Sequence, residues 1–438
     1  MLNNLSLNKL NILILLSIVT KLFFFIIFIN YQKDLYSYEY DYQKLIDNFY
    51  FKGKNFNESI WDERLPVYQI FIFLIYSVFK NEIIISLIQI LLSLINLILI
   101  YKIGLIFNKR FALILVLVSV LNPSYVLFSY LLLADYLFLL FSLSFIYFFL
   151  KFIVHKKLSD SAVSYFFLGL MALTKPVIIY FPIFLLIFLI IFPNKNKLKS
   201  IFLLFLIFYS MSSSWALRNF YMYGDYFYMG QNQTNIVNWY LPLFEQEQNE
   251  LNFKQAQDEI NKQWEIFKNQ NNNNTNLSKK KFDDELSKKF FMSKILEYEF
   301  STIFKCVLYG SMKTLLLPSF SEFKYYLNFK PELSFYRTEG RNFLIRIKNY
   351  FFSNNNTIYS FLVILFFSIT LFLRLVQFKY FLRLFYENKS IFIFFLIYIS
   401  YFLIVSGPIG SARYRLPFEI IFIFTTSKWI ENFLSRTK

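Results

Sequence analysis

A small set of charged residues stands at the edges of long apolar runs, where acid–base and anion-binding chemistry meets a membrane. The acids are Glu39 and Asp41, after the first apolar run, and Asp135 in "LLLADYLF". The cations are Arg64 in "ERLPVY", Lys175 in "LTKPV", Arg218 in "WALRNF", and Arg413 and Arg415 in "GSARYRLPFEI". A guanidinium donates paired hydrogen bonds to phosphate oxygens and stays charged near lipid. A carboxylate beside such a cluster can take the proton of an acceptor hydroxyl while a phosphate departs. Each residue alone also has a structural reading. Lysines and arginines at helix ends snorkel to lipid phosphates, and Asp135 could cap a helix N-terminus. Joint arrival on one face is what would favour the chemical reading.

The elements that must position these residues follow from composition. The 438 residues are 57% hydrophobic with mean hydropathy +0.45, and apolar runs near membrane-spanning length recur throughout. The fold class is an all-α polytopic membrane protein. With one cysteine, Cys306, an intrachain disulfide and a cysteine metal cage are excluded. The single histidine, His155, sits in the charged loop "KFIVHKKLSD", which argues against serine–histidine catalysis and histidine-rich metal sites. Proton transfer then falls to carboxylates, lysine or tyrosine. The net charge of +17 lies largely in short loops between apolar runs, the positive-inside pattern, and no basic patch suited to nucleic acid stands out.

The first run, about 10–30, lacks a small-residue cleavage site and reads as a retained helix. Its mid-span Lys21 must face the protein interior or snorkel. An acid-rich loop (31–66) follows. The run 66–79 is too short to span comfortably and reads as an interfacial or re-entrant helix. Further spans are expected at 83–106, 111–130, 132–152, 161–174, 177–193, 199–216, 357–376, 389–406 and 415–431, giving about ten crossings. Basic loops at 108–110, 151–157 and 194–200 would be cytoplasmic, as would Arg374, Lys379, Arg383 and Lys389. The acidic loop and the candidate cations then share the extracytoplasmic face. The organisation is an N-terminal transmembrane module (1–216), an extracytoplasmic loop region (217–356) with an interfacial helix at 301–318, and C-terminal transmembrane helices (357–438). The asparagine-rich 269–276 reads as a flexible loop.

Six stretches in this order resemble the GT-C superfamily of integral membrane glycosyltransferases. The nearest branch is that of protein O-mannosyltransferases and aminoarabinose transferases. They are "DYQKLIDN" (41–48), "RLPVYQIF" (64–71), "LNPSYVLFSYLLLADYLFLL" (121–140), "GLMALTKP" (169–176), "WALRNFYMYGDY" (215–226) and "ARYRLPFE" (412–419). The resemblance implies an inverting transfer of a sugar from a polyprenyl-phosphate donor to a lipid, glycan or protein acceptor on the extracytoplasmic face. It implies a first-loop carboxylate as base. Register favours Glu39 and residue type favours Asp41, which is ranked first. It implies that Arg64, Lys175, Arg218, Arg413 and Arg415 hold the donor phosphate, with Tyr68, Asp135 and Tyr414 lining the substrate cavity. Gln69 stands where the family often has a proline, and Lys175 where it has arginine. A divalent metal could share the charge neutralisation, although no ligand cluster in the sequence argues for one. The competing readings are a lipid-linked oligosaccharide flippase or transporter and a polysaccharide polymerase or ligase.

Overall fold

The structure is a computed structural model that describes residues 2–31, 64–192, 196–224, 226, 228, 235–271, 279–317, 345, 348–349 and 357–436. Every element among these residues is helical. The first is α1 (Leu2–Tyr31), followed by α2 (Pro66–Phe79), α3 (Glu82–Leu105), α4 (Lys109–Val120) and the short α5 (Pro123–Leu127). Then come α6 (Ala134–His155), α7 (Leu158–Ala172), α8 (Phe181–Ile191) and α9 (Lys197–Tyr223). A second group comprises α10 (Leu241–Gln248), α11 (Phe253–Gln270), α12 (Lys279–Ile295) and α13 (Phe300–Leu316). The chain closes with α14 (Thr357–Glu387), α15 (Lys389–Ser406) and α16 (Glu419–Arg436).

Six described helices are long and apolar enough to cross a membrane: Asn8–Asn30, Glu82–Leu105, Ala134–His155, Lys197–Met222, Ile364–Glu387 and Lys389–Ser406. The expected spans at 111–130, 161–174 and 177–193 are instead α4, α7 and α8, of 12, 15 and 11 residues. Prolines set two of these breaks, because the residue before a proline is pushed out of helical geometry. Asn122 precedes Pro123 and caps α5 by accepting from the Ser124 N–H at 2.9 Å. Lys175 is extended (φ −142°, ψ 135°) before Pro176. The last expected span is α16, which carries Glu419, Lys428, Glu431 and Arg436. The short helix at 66–79 matches its sequence reading in both bounds.

The helices alternate so that their ends gather in two sets. At one set, Asn108 donates to Glu431 at 3.0 Å, and Lys428 approaches Glu387 and Glu431 at 3.9 and 3.6 Å. The basic loops around Lys109, Lys156 and Lys389 follow or precede helices that end there. Asp135, Lys175 and Arg413 meet at the opposite set. Between them the core is aromatic: Phe145, Phe149, Phe394 and Tyr398 are buried, with Phe149 and Phe394 ring centroids 4.6 Å apart. Lys21 faces this interior, 2% exposed, and donates to Ser93 of α3 at 2.7 Å. Ser17, Lys21, Phe25 and Phe28 are buried at helical spacing, so one stripe of α1 docks it to the bundle.

The region read as an extracytoplasmic loop contains a packed helical module. A capping box joins Asn252 and Gln255 at the start of α11, whose Phe253, Ala256, Ile260 and Trp264 form its buried face. Trp264, Phe290, Phe244 and Tyr298 make a second core with Cys306 of α13. Tyr298 donates to Glu245 at 3.0 Å. Burial, reinforced by that carboxylate, pushes the Tyr298 phenol well above its ordinary value, so it stays a donor.

Candidate active site

Asp135 lies in the first turn of α6, where the exposed N–H groups of the helix favour negative charge. The residue at the cap is Leu133, which makes no side-chain cap, and the carboxylate of Asp135 turns to two cations instead. Lys175 Nζ is 2.5 Å from Oδ1, while Arg413 Nη2 and Nε are 2.6 and 2.7 Å from Oδ2. These partners come from 40 and 278 residues away in the chain. Lys175 is presented by the extended break between α7 and the 3₁₀ turn Pro176–Ile178. Arg413 sits on the 3₁₀ turn Ala412–Phe418, opened by Ser411, whose hydroxyl accepts from the Arg413 N–H at 3.2 Å. The Asp135 side chain is 5% exposed, yet Lys175 and Arg413 keep 19% and 22%.

Arg64 and Arg218 stand at the same end. Val67 N–H donates to the Leu173 carbonyl at 3.1 Å, two residues before Lys175. Leu65, Trp215, Leu173 and Tyr228 pack together, and Tyr228 donates to the Ala172 carbonyl at 2.5 Å. Arg218 lies 4.7 Å over the Trp215 ring and donates to Asn219 at 2.9 Å. The carbonyl of Arg64 accepts from Gln69 at 2.9 Å. Thus Gln69, where the family often has proline, closes the first turn of α2.

Tyr68 is fully buried and donates to Gln89 of α3 at 2.6 Å; Gln89 donates on to the Leu131 carbonyl at 2.7 Å. It joins α2 to the segment preceding Asp135. Tyr414 is half-buried beside Tyr240, whose phenol is pushed up to about 12 by burial and by that neighbour. Glu39 and Asp41 lie outside the described residues.

Arg415 occupies a different setting from Arg413. It is 3% exposed, pairs with Glu419 one turn on, and donates to the carbonyls of Thr314, Leu315 and Leu317 at 2.8, 3.3 and 3.1 Å. Those are the carbonyls that a helix C-terminus leaves without intrahelical partners, here the end of α13. Glu419 is a hub. Asn122 donates to it at 3.1 Å, and Arg374 approaches it at 3.6 Å. Arg374 also donates to Leu315 O at 3.0 Å and lies 4.0 Å over Phe422. Arg374 was expected among the cytoplasmic lysines and arginines. It sits instead thirteen residues before the end of α14, about 20 Å along the helix at 1.5 Å per residue. Neither Glu419 nor Arg374 was read from sequence as a partner of Arg415; the Arg415–Glu419 spacing of four was the available signal.

Among the described residues, no three His, Cys, Asp or Glu side chains gather as a metal-ligand set. Six helices able to span a bilayer and the buried charged clusters between them describe an integral membrane protein. A comparison with curated proteins finds no match. The family model for dolichyl-phosphate-mannose-protein mannosyltransferase matches residues 63–216. That segment runs from α2 to α9 and carries Arg64, Tyr68, Asp135 and Lys175; it stops short of Arg218 and of the Arg413 turn. Residues 63–216 are therefore similar to the glycosyltransferase domain of that family, within a chain that carries membrane-spanning helices.

Proposed function

We propose that the protein transfers a sugar from a polyprenyl-phosphate donor to a lipid, glycan or protein acceptor, with inversion, on the extracytoplasmic side. The observation that carries this reading is the Asp135 cluster: two cations anchored to one buried carboxylate, each still about one-fifth exposed. A donor phosphate meets Lys175 and Arg413 from that exposed side. Asp135 holds the cations in place, and their charge offsets the negative charge that grows on the leaving phosphate. Arg64 and Arg218, at the same end, extend the positive surface toward the donor. A first-loop carboxylate, Asp41 ahead of Glu39, takes the acceptor's proton from the face opposite the leaving group, as direct displacement at the anomeric carbon requires. Tyr414, half-buried beside Arg413, lines the cavity. Tyr68 serves by fixing the segment before Asp135. Basic loops at the opposite helix ends support placing the Asp135 end outside.

The test is transfer from a labelled polyprenyl-phosphate sugar by purified protein in lipid. Arg413→Ala and Lys175→Met should weaken donor use, and Asp41→Asn should abolish turnover while donor still binds. Full transfer by Arg413→Ala would refute the phosphate assignment. Flux of a lipid-linked sugar with no covalent product would point to a transporter.

A further inference from the structure

Arg413 takes its position from a turn, and the turn is gripped by a helix from another part of the chain. The α13 helix crosses the 407–410 turn backbone to backbone: a methyl group on Gly310 would collide with the Gly407 carbonyl and with Pro408, and one on Gly410 with Gly310. Gly407 and Gly410 have φ of 56° and 50°, which a side chain disfavours. Further along, Lys313 donates to Ile409 O at 3.4 Å, and the Ser411 N–H donates to Thr314 Oγ1 at 3.2 Å. Arg415 then closes on the last carbonyls of α13. So the residues on either side of Arg413 are bonded to α13, two residues before it and two after.

The α13 helix is itself rooted in the helical module. Cys306 lies in that module's core, its thiol approaching the Leu243 carbonyl at 3.5 Å. Tyr240 lies over Gly407, and Ile409 packs against the cluster of Leu243 and Phe253. A displacement of this module therefore reaches the 407–415 turn through rigid, close-packed contacts.

We propose that α13 sets the position of Arg413 against Asp135, with Gly310, Thr314 and Arg415 as its positioning residues, so that the helical module and the donor-phosphate site are mechanically coupled. The functional consequence rests on the glycosyltransferase reading above; the positional claim does not.

Two measurements separate them. The first uses a Cys306→Ser background, where Arg413→Cys supplies the single thiol, and follows its rate of reaction with a charged methanethiosulfonate. Adding Thr314→Val, which keeps shape but removes the acceptor for Ser411 N–H, should change that rate severalfold. Gly310→Ala should change it more. Unchanged rates in folded Thr314→Val protein would overturn the proposal, whether or not Gly310→Ala folds. The second uses Arg413-containing protein. Thr314→Val should raise KM for the lipid-linked donor about fivefold, the scale of one lost hydrogen bond, with kcat nearly unchanged. Thr314→Ser should restore it. An equal loss in kcat with donor KM unaltered would make Thr314 merely structural. Absence of transfer by the unaltered protein would sink the functional reading and leave the thiol result standing.

Discussion

Two charged clusters in this bundle share one plan and differ in one respect. In each, a carboxylate in the first turn of a helix sits between two cations: Asp135 of α6 between Lys175 and Arg413, and Glu419 of α16 between Arg415 and Arg374. Both carboxylates are almost fully enclosed, at 5% and 6% side-chain exposure. The cations are not alike. Lys175 and Arg413 remain 19% and 22% exposed, whereas Arg415 and Arg374 are at 4% and 12% and spend their other donors on carbonyls at the end of α13. A cation whose side chain keeps some exposure can meet a phosphate oxygen without losing its carboxylate. A sealed one would have to release a helix end first, leaving buried carbonyls unpaired. The burial of the cations, more than the charge inventory, separates a candidate binding cluster from a brace.

The largest expected effect is on the sealed cluster. Glu419→Gln strands two buried guanidinium groups, and removing one partner of a buried ion network costs about 3–5 kcal/mol. Thermal unfolding in detergent should show a large drop in midpoint, with activity lost along with the fold. A variant that unfolds like the parent but transfers no sugar would move Glu419 from brace to site. Next comes Arg413→Ala in the open cluster. Its loss should cut transfer by about 10²–10³-fold, as removal of one donor to developing negative charge does. The unfolding midpoint should move far less than for Glu419→Gln. The reverse ranking in both assays would erase the distinction.

How much of this contrast was legible in the sequence depends on the residue. Apolar runs and their charged edges placed Arg64, Asp135, Lys175, Arg218 and Arg413 at one end of the bundle, and the cost of a charge in lipid left Lys21 to face inward or snorkel, of which the fold takes the first. Arg413 and Arg415 looked equivalent because they share a motif. They stand on a 3₁₀ turn of three residues per turn, so two positions apart they point roughly 120° from each other. Which of the two faces solvent is decided by α13, whose contact with the turn spans about a hundred residues of chain. The sequence reading of 111–130 as one span ran across the break at Asn122–Pro123, where α4 ends and α5 begins. The helix at 301–318 was read, but α11 and α12 were missed for the opposite reason: they are polar overall, and only the Asn252–Gln255 cap and the Phe253, Ala256, Ile260, Trp264 spacing mark α11.

A smaller effect should follow from thinning the sealed cluster instead of unbalancing it. Arg374→Met leaves Glu419 with Arg415, and its longer 3.6 Å approach to the carboxylate marks it as the weaker partner. What is lost is its bond to Leu315 O, its bond to Gln377 at 2.6 Å and its packing on Phe422. About 1–2 kcal/mol of stability is the expected cost, at one lost bond's worth each with partial repacking. Measured unfolding should place it well between the parent and Glu419→Gln. A loss as large as that of Glu419→Gln would show that both arginines are needed to hold the carboxylate.

The smallest effect, and the sharpest on the open cluster, is Lys175→Arg. Lys175 reaches Asp135 as a single point contact at 2.5 Å, while Arg413 already supplies a two-nitrogen grip on the other oxygen. An arginine at 175 keeps the charge and adds a planar fork with more donors than Asp135 can accept. If the exposed side of the cluster receives a phosphate, donor KM should fall or stay within about threefold, under 1 kcal/mol, and stability should not change. Lys175→Met, which removes the charge, should raise donor KM by about tenfold, near the worth of one charge-assisted hydrogen bond. The pair separates charge from shape. Equal damage from both substitutions would mean that the cavity is fitted to lysine's length, and that the exposed fifth of Lys175 is a gap in packing and no phosphate's approach.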